Sequence, residues 1–282
     1  MSEPSVNSPS ESRAEGPSRL VAFFVTTFAV SWAGTIPMIW GSYAGPKAVP
    51  GPVKLLQLLM LLGPGLVAIV FAWRDGGRAA VRELLGRLLR WRVSPGWYVF
   101  VLGLPLLLFA AALVAPHAFG VEKALLPPLG RILPVAAGSF AVYLVLNTEE
   151  LAWRGYAWPK LASRFGPLFA ALLLGSVWAL FHLPLFLVKG GHPAGYPRAL
   201  FGLMLVAFGV LFAIVYEGSG GSILLAHLLH QAMNAWGDAL PVYPRAVDST
   251  LPIGLVTAGA AVVALLGAWR LGWRWKLPAD RG

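Results

Sequence analysis

The sequence predicts an all-α fold, a polytopic membrane helical bundle with about eight transmembrane helices. The first observation is composition: 57% of the 282 residues are hydrophobic and 12% are charged, whereas soluble domains carry about 25% charge. The second is the recurrence of apolar stretches of about 20 residues, the length that crosses a bilayer as a helix. Charged residues concentrate between these stretches, which is typical of a multi-pass membrane protein.

The elements follow from the N-terminus. Residues 1–18 are rich in Ser, Pro and Glu, and we expect a disordered tail there. They lack the apolar region and small-residue cleavage site of a signal peptide. One integral membrane domain is expected over 20–270, with its motif-bearing core at about 130–240. The eight predicted spans are 20–40, 53–73, 96–118, 132–157, 167–188, 199–216, 221–240 and 251–269.

The basic segment 74–92 sets the predicted orientation, because it carries six Arg and two acids. Its leucines recur at helical spacing, which favours either an amphipathic helix at the membrane surface or an ordinary basic loop. Placing it in the cytoplasm puts 15 of the 22 basic residues and both termini on that side, including a C-terminal tail at 271–282. We therefore expect a multi-pass protein of the cell membrane.

Charge and cysteine content exclude several function classes. The net charge of +10 comes from loops between apolar spans, so it indicates membrane topology rather than nucleic-acid binding. The chain has no cysteine, which excludes disulfides, thiolate metal ligands and a cysteine nucleophile. The sequence leaves the oligomeric state open.

Two adjacent acids, Glu149 and Glu150, lie inside the apolar stretch 141–161. An ionised carboxylate is costly in hydrocarbon unless it is paired, hydrated or neutralised. Glu150 and Arg154 have the i,i+4 spacing of a favourable helical ion pair, which predicts a structural role for both. Glu149 has no evident partner on its own helix and is the better candidate for chemistry.

The position of His182 follows from a predicted helical hairpin. We expect no break between 141 and 158 and a turn at 165–167, where Gly precedes Pro. An antiparallel pair about Gly166 places position 149 opposite 183, so Glu149 and His182 lie at the same level, about 25 Å from the turn. This count does not decide whether the two side chains face each other.

Further polar residues occur in the seventh span. His230 and Asn234 are four residues apart and share a helix face, so their side chains can converge on one small group. His227 either extends this polar stripe or satisfies a neighbouring helix, and the structural role is favoured for it.

Three chemistries use such residues. Glu149 and His182 can activate water for peptide hydrolysis, with His230 and Asn234 donating to the oxyanion. Glu and His can also bind a metal, although the chain has no HExxH and the pair at 227–230 is a weak ligand motif. Intramembrane acids and histidines also form proton or ion pathways.

Three segments in order resemble the motifs of the CPBP family of intramembrane proteases, which includes type II CAAX prenyl endopeptidases and bacteriocin-processing or immunity relatives. The EExxxR motif corresponds to Glu149–Arg154, and HxxxN corresponds to His230–Asn234. The FxxxH motif corresponds to Trp178–His182, with Trp in place of Phe. That position is expected to pack or to line the cavity.

The resemblance implies that Glu149 and His182 activate water and that His230 and Asn234 stabilise the oxyanion. It implies an endopeptidase acting on a membrane-associated peptide or lipid-modified protein. The residues themselves, apart from the resemblance, predict supporting roles for Glu150, Arg154, Trp178 and His227. We expect a glutamate-type enzyme without a metal, although zinc is not excluded. The alternatives are a non-catalytic immunity or scaffold factor of the same fold, and a proton or ion transporter.

Overall fold

The computed structural model describes residues 17–118, 127–191 and 195–273, and these residues form helices with no β-strand. The prediction of a polytopic helical bundle is therefore confirmed. Parts of the predicted tails at 1–18 and 271–282 lie outside the described residues. The sidedness of the termini stays a prediction.

Ten helices longer than seven residues make up the described bundle. They are α1 (Pro17–Ala33), α2 (Thr35–Ala44), α3 (Leu58–Leu88), α4 (Pro95–Ala118), α5 (Leu129–Leu146), α6 (Trp158–Phe165), α7 (Pro167–Phe181), α8 (Arg198–Gly218), α9 (Ile223–Ala239) and α10 (Leu251–Arg270). A π-helical segment, Leu151–Ala157, leads directly into α6. Short helical pieces join α2 to α3 and follow α7.

Seven helical stretches within the described residues are long and apolar enough to cross a membrane. They correspond to predicted spans one to six and eight, but the fourth stretch ends at Leu146 instead of residue 157. The seventh predicted span corresponds to α9, which has 17 residues and carries most of its side chains buried. A short polar-bearing helix buried among longer ones is consistent with a role inside the bundle rather than at the lipid surface.

Helix α8 forms the centre of the bundle. Its side chains are buried almost continuously from Met204 to Tyr216. It packs along both α7 and α10, while α9 packs along α5 and α4. Because α8 is apolar on every face, it is shielded by other helices, and the polar helix α9 lies close beside it.

The predicted fourth span is wrong in one respect, because it is not continuous through residue 157. Helix α5 ends at Leu146, and Asn147 has an extended backbone. The Asn147 Oδ1 atom accepts a hydrogen bond from the Glu149 backbone N–H at 2.9 Å, which starts a new helical run. Asparagine offers this local alternative to helix continuation. The glutamates therefore lie at the beginning of a second helix.

Thr148 fixes this break against α3. Its backbone N–H donates to the Leu61 carbonyl at 3.0 Å, and its hydroxyl accepts from the Gly65 N–H at 2.9 Å. Pro64 lies between these two α3 residues and cannot donate to the helical ladder. A Cβ on Gly65 would lie 2.5 Å from the Thr148 Cβ, so a glycine is needed for this close approach.

The predicted turn at 165–167 is present. Helix α6 ends at Phe165, and α7 begins at Pro167. Gly166 between them has φ of 77°, a left-handed conformation that glycine adopts without strain. Helices α6 and α7 pack against each other as the expected hairpin.

The basic segment 74–92 is helical as far as Leu88, and α3 kinks at Gly76–Gly77. Its leucines do not share one environment: Leu84 is buried, whereas Leu89 is largely exposed. Leu84 lies against Gly155 of the π-helical segment, where an added Cβ would meet it at 2.5 Å. The location of this helix at a membrane surface stays a prediction.

Candidate active site

A cavity of about 530 Å³ lies within the bundle, and Glu149, His182, His230 and Asn234 all line it. These four residues come from three separate elements: the helical run after α5, the C-terminal end of α7, and α9. The structure therefore brings together the residues that the sequence predicts as catalytic. Glu149 and His230 are 3% and 2% exposed, so both polar groups meet the cavity from an otherwise buried position.

Two indole groups hold one carboxylate oxygen of Glu149. Trp178 Nε1 donates to Glu149 Oε2 at 2.6 Å, and Trp153 Nε1 donates to the same atom at 2.9 Å. The other oxygen, Oε1, lies 3.5 Å from the Asn147 amide nitrogen. The expectation that Glu149 lacks a partner on its own helix is thus wrong, since Trp153 is four residues along that helix.

Glu150 has a different set of partners from Glu149. The predicted ion pair with Arg154 is present at 3.2 Å, and both residues are fully buried. Glu150 Oε1 also lies 2.9 Å from His230 Nδ1. Arg154 in turn places its guanidinium 4.3 Å from the centre of the Phe212 ring. Glu150 therefore connects a buried cation to the histidine of α9.

His182 is oriented by the backbone of its own helix. Its Nδ1 atom lies 2.8 Å from the Trp178 carbonyl oxygen, which can only accept, so Nδ1 carries the proton. A neutral imidazole in this arrangement has its lone pair on Nε2. Since His182 lines the cavity, that lone pair is available to a water molecule or a substrate.

Trp178 occupies the centre of the site and does more than the packing role that the sequence predicts. Its ring lies edge-to-face with His182 at 5.6 Å and with His230 at 5.3 Å between centroids. It also donates to Glu149. Trp178 is 1% exposed, so this indole fixes the relative positions of three candidate groups.

A hydrogen-bonded chain runs along α9 behind the cavity. His227 Nε2 donates to the Leu144 carbonyl of α5 at 3.0 Å, and its Nδ1 accepts from Gln231 at 3.1 Å. Gln231 Oε1 accepts from the Asn234 amide at 3.4 Å. His227 is not among the cavity-lining residues. Its contacts hold α9 against α5 and orient Asn234 through Gln231.

Three residues of the site are not found by the sequence reasoning: Asn147, Trp153 and Gln231. Asn147 lies 3.5 Å from both Glu149 Oε1 and His230 Nε2. A polar residue two positions before a buried acid is a usable signal, because Asn bonds the backbone two residues on. The i,i+4 spacing also relates Trp153 to Glu149 and Gln231 to His227.

Part of the cavity wall comes from the loop before α8. Burial raises the pKa of the Tyr196 phenol, which is therefore neutral at physiological pH. Its hydroxyl lies 3.2 Å from the Met204 sulfur, and its ring contacts Phe201 edge-to-face. Met204 and Phe201 line the cavity, so Tyr196 supports an apolar part of the wall.

The donors in the described part of the chain do not form a conventional metal site. Within the described ranges, no three His, Asp or Glu residues are grouped closely enough to hold a metal ion. The weak motif at 227–230 does not converge, because His227 uses both ring nitrogens on Leu144 and Gln231. Metal independence stays a prediction.

The part of the chain that carries these site residues is similar to a known protein family. Residues 131–236 match the family model described as type II CAAX prenyl endopeptidase Rce1-like. This part of the chain is therefore similar to that family. The matched range contains all four candidate catalytic residues and the EExxxR, WxxxH and HxxxN segments, so the resemblance drawn from those segments is confirmed.

A second similarity extends beyond residues 131–236. The chain is 25% identical over 238 residues to CAAX prenyl protease 2 of Methanococcus maripaludis, covering 78% of this chain and 84% of that protein. Together, the two similarities support an intramembrane protease. The seven apolar helical stretches and the family support a multi-pass membrane protein.

Proposed function

We propose that this protein is a glutamate-type endopeptidase that hydrolyses a peptide bond of a lipid-modified, membrane-associated protein or peptide. The observation that carries the proposal is the convergence of Glu149, His182, His230 and Asn234 on one cavity. A carboxylate, an imidazole and two potential hydrogen-bond donors are the groups needed to add water to an amide carbonyl.

In the proposed reaction, Glu149 and His182 bind and activate the attacking water. Glu149 Oε1 is the less engaged carboxylate oxygen, and His182 Nε2 carries the lone pair, so both can accept hydrogen bonds from one water. Glu149 takes the water proton as the water oxygen attacks the carbonyl carbon. The same proton then passes to the leaving amine, which restores the carboxylate.

His230 and Asn234 are the proposed hydrogen-bond donors to the oxyanion. The Glu150 carboxylate contacts His230 Nδ1 and fixes the orientation of the imidazole, so His230 is held in place to donate to the substrate oxygen as negative charge develops there. Asn234 is oriented by Gln231 and has a second amide hydrogen to donate. Donors held in place before the reaction stabilise the transition state without reorganisation.

The cavity walls support a substrate with an apolar tail. Methionine is scarce in this chain, with five residues in total, yet four of them line the cavity: Met38, Met60, Met204 and Met233. Flexible thioether side chains adapt to apolar groups of varied shape. We therefore propose a prenylated CAAX-like peptide, in keeping with the activity named for the relative and the family.

The test uses purified protein in liposomes with a farnesylated peptide that ends in a CAAX sequence. Wild-type protein is expected to release the C-terminal tripeptide, detected by mass spectrometry, and His182→Ala is expected to lower kcat about 100- to 10,000-fold. Cleavage of the farnesylated peptide but not its unmodified counterpart would support the lipid part of the proposal.

Two further arms decide between the alternatives. No release by wild-type protein, together with an unchanged cellular phenotype in His182→Ala, would favour a non-catalytic factor, and proton flux into peptide-free liposomes would favour a transporter. Chelators are expected to leave turnover unchanged. Loss of turnover on chelation, with recovery on adding Zn²⁺, would overturn the metal-free mechanism.

A further inference from the structure

Glu149 accepts hydrogen bonds from the indole N–H groups of two buried tryptophans. Trp153 reaches it from one turn along the same helical run, and Trp178 reaches it from α7 across the hairpin. Both N–H groups meet at Oε2, at 2.9 and 2.6 Å. Both rings are almost completely buried, so their N–H groups have little contact with bulk water.

We propose that Trp153 and Trp178 are positioning residues that clamp Glu149 Oε2 and leave Oε1 as the oxygen that accepts the water proton. This inference rests on the proposed function, since it concerns how the base of that reaction is held. We call the two residues the indole clamp.

The clamp offsets the cost of removing the Glu149 carboxylate from water. An ionised carboxylate that is 3% exposed needs donors in place of lost water. Hydrogen bonds from neutral donors to a charged acceptor are among the stronger ones in proteins. Two indole N–H groups provide them without introducing a positive charge, so the carboxylate is not tied into an ion pair and keeps its second oxygen for chemistry.

The clamp also fixes the orientation of the Glu149 carboxylate. Rotation about the last side-chain torsion of Glu would exchange its two oxygens, and simultaneous donors from two different helices oppose that rotation. The same Trp178 ring contacts His182 and His230. The base therefore keeps a constant position relative to both histidines, and small displacements of reacting groups are costly, about 100-fold for 1 Å.

Trp178 is the position where this chain differs from the FxxxH motif of the family it resembles, so its N–H is a feature of this chain. Trp178→Phe supplies the residue of the family motif, and the smaller ring is therefore expected to fit. The donor is lost while most of the aromatic packing stays. Trp153→Phe removes the other donor in the same way.

The chain offers a matched control in Trp158. This residue is 1% exposed and donates its indole N–H to Glu217 at 2.6 Å. It is thus a buried tryptophan bonded to a carboxylate at the same distance as Trp178, but it lies outside the cavity. Trp158→Phe reproduces the structural cost of the substitution without touching the proposed base.

The kinetic experiment measures kcat, KM and thermal unfolding for Trp153→Phe, Trp178→Phe and Trp158→Phe in liposomes. Trp178→Phe and Trp153→Phe are each expected to lower kcat about 10- to 100-fold with KM changed less than about twofold. Trp158→Phe is expected to retain wild-type kcat. A kcat equal to that of the wild type in all three tryptophan variants overturns the clamp, provided that Glu149→Gln is inactive.

If the tryptophan variants fail to fold, a spectroscopic experiment on Glu149→Gln tests the clamp instead. In ¹⁵N-tryptophan-labelled protein, two indole N–H resonances are expected to move in Glu149→Gln, because an amide is a weaker acceptor than a carboxylate. The Trp158 resonance is expected to stay in place. Unchanged indole resonances in Glu149→Gln overturn the clamp, whereas an active Glu149→Gln enzyme instead overturns the proposed function.

Discussion

Glu149→Gln is expected to lower kcat about 1,000-fold or more, the upper part of the range for general acid–base catalysis. The amide keeps the size of the carboxylate, and its oxygen can still accept from Trp153 and Trp178. It has no basic oxygen to remove a proton from water. We therefore expect the thermal midpoint to change little, with the loss confined to turnover.

The measurement is the initial rate of peptide release in liposomes at saturating substrate, together with thermal unfolding of the same preparation. Glu83→Gln is a suitable control, since Glu83 is an exposed acid paired with Arg87 on α3. Turnover of Glu149→Gln within about tenfold of wild type would remove Glu149 from the proposed chemistry.

Arg154→Ala is expected to have the largest effect on stability, about 3–5 kcal/mol of unfolding free energy. Arg154 and Glu150 are each 0% exposed, so truncation leaves a buried carboxylate without its cation. The guanidinium also contacts the Gly209 carbonyl and the Phe212 ring. The substitution therefore removes support from α8 as well.

The matched control is the exposed i,i+4 ion pair between Glu83 and Arg87, whose acid is 67% exposed. Glu83→Ala is expected to change stability by less than about 1 kcal/mol. Both variants are measured by equilibrium unfolding in mixed detergent micelles. A change below about 1 kcal/mol in Arg154→Ala would contradict the structural role of the pair.

Much of the fold could be predicted from apolar length. The helical spans follow from stretches of about 20 apolar residues, and Gly166 before Pro167 marks the turn. The break at Asn147–Thr148 could not be predicted in this way, since both residues are tolerated inside apolar helices. It depends on Thr148 bonding into α3 beside Pro64, a contact between segments more than 80 residues apart.

The same break explains what sequence reasoning missed in the site. A continuous helix places Glu149 opposite residue 183, whereas the structure bonds it to Trp178. The extended Asn147 and the π-helical segment change both register and rotation, because a π-helix has a wider turn than the α-helix assumed in the count. The choice of residue types was nevertheless predictable, because acids and histidines in hydrocarbon are costly without a function.

The separate roles of the two glutamates also needed three-dimensional contacts. Spacing alone predicts the Glu150–Arg154 pair. The contact between Glu150 and His230 joins residues 80 positions apart, and no local pattern indicates it. Through this contact a buried structural pair orients a proposed oxyanion donor, so stability and catalysis are coupled at Glu150.

The central claim is that Glu149 and His182 act together on one water molecule. The most direct test compares kcat of Glu149→Gln, His182→Ala and the variant that carries both substitutions. Groups that act as a unit are non-additive, so we predict that kcat of the double variant lies within about threefold of kcat of the slower single variant. Losses that multiply in the double variant, or a single variant with wild-type turnover, would contradict the account.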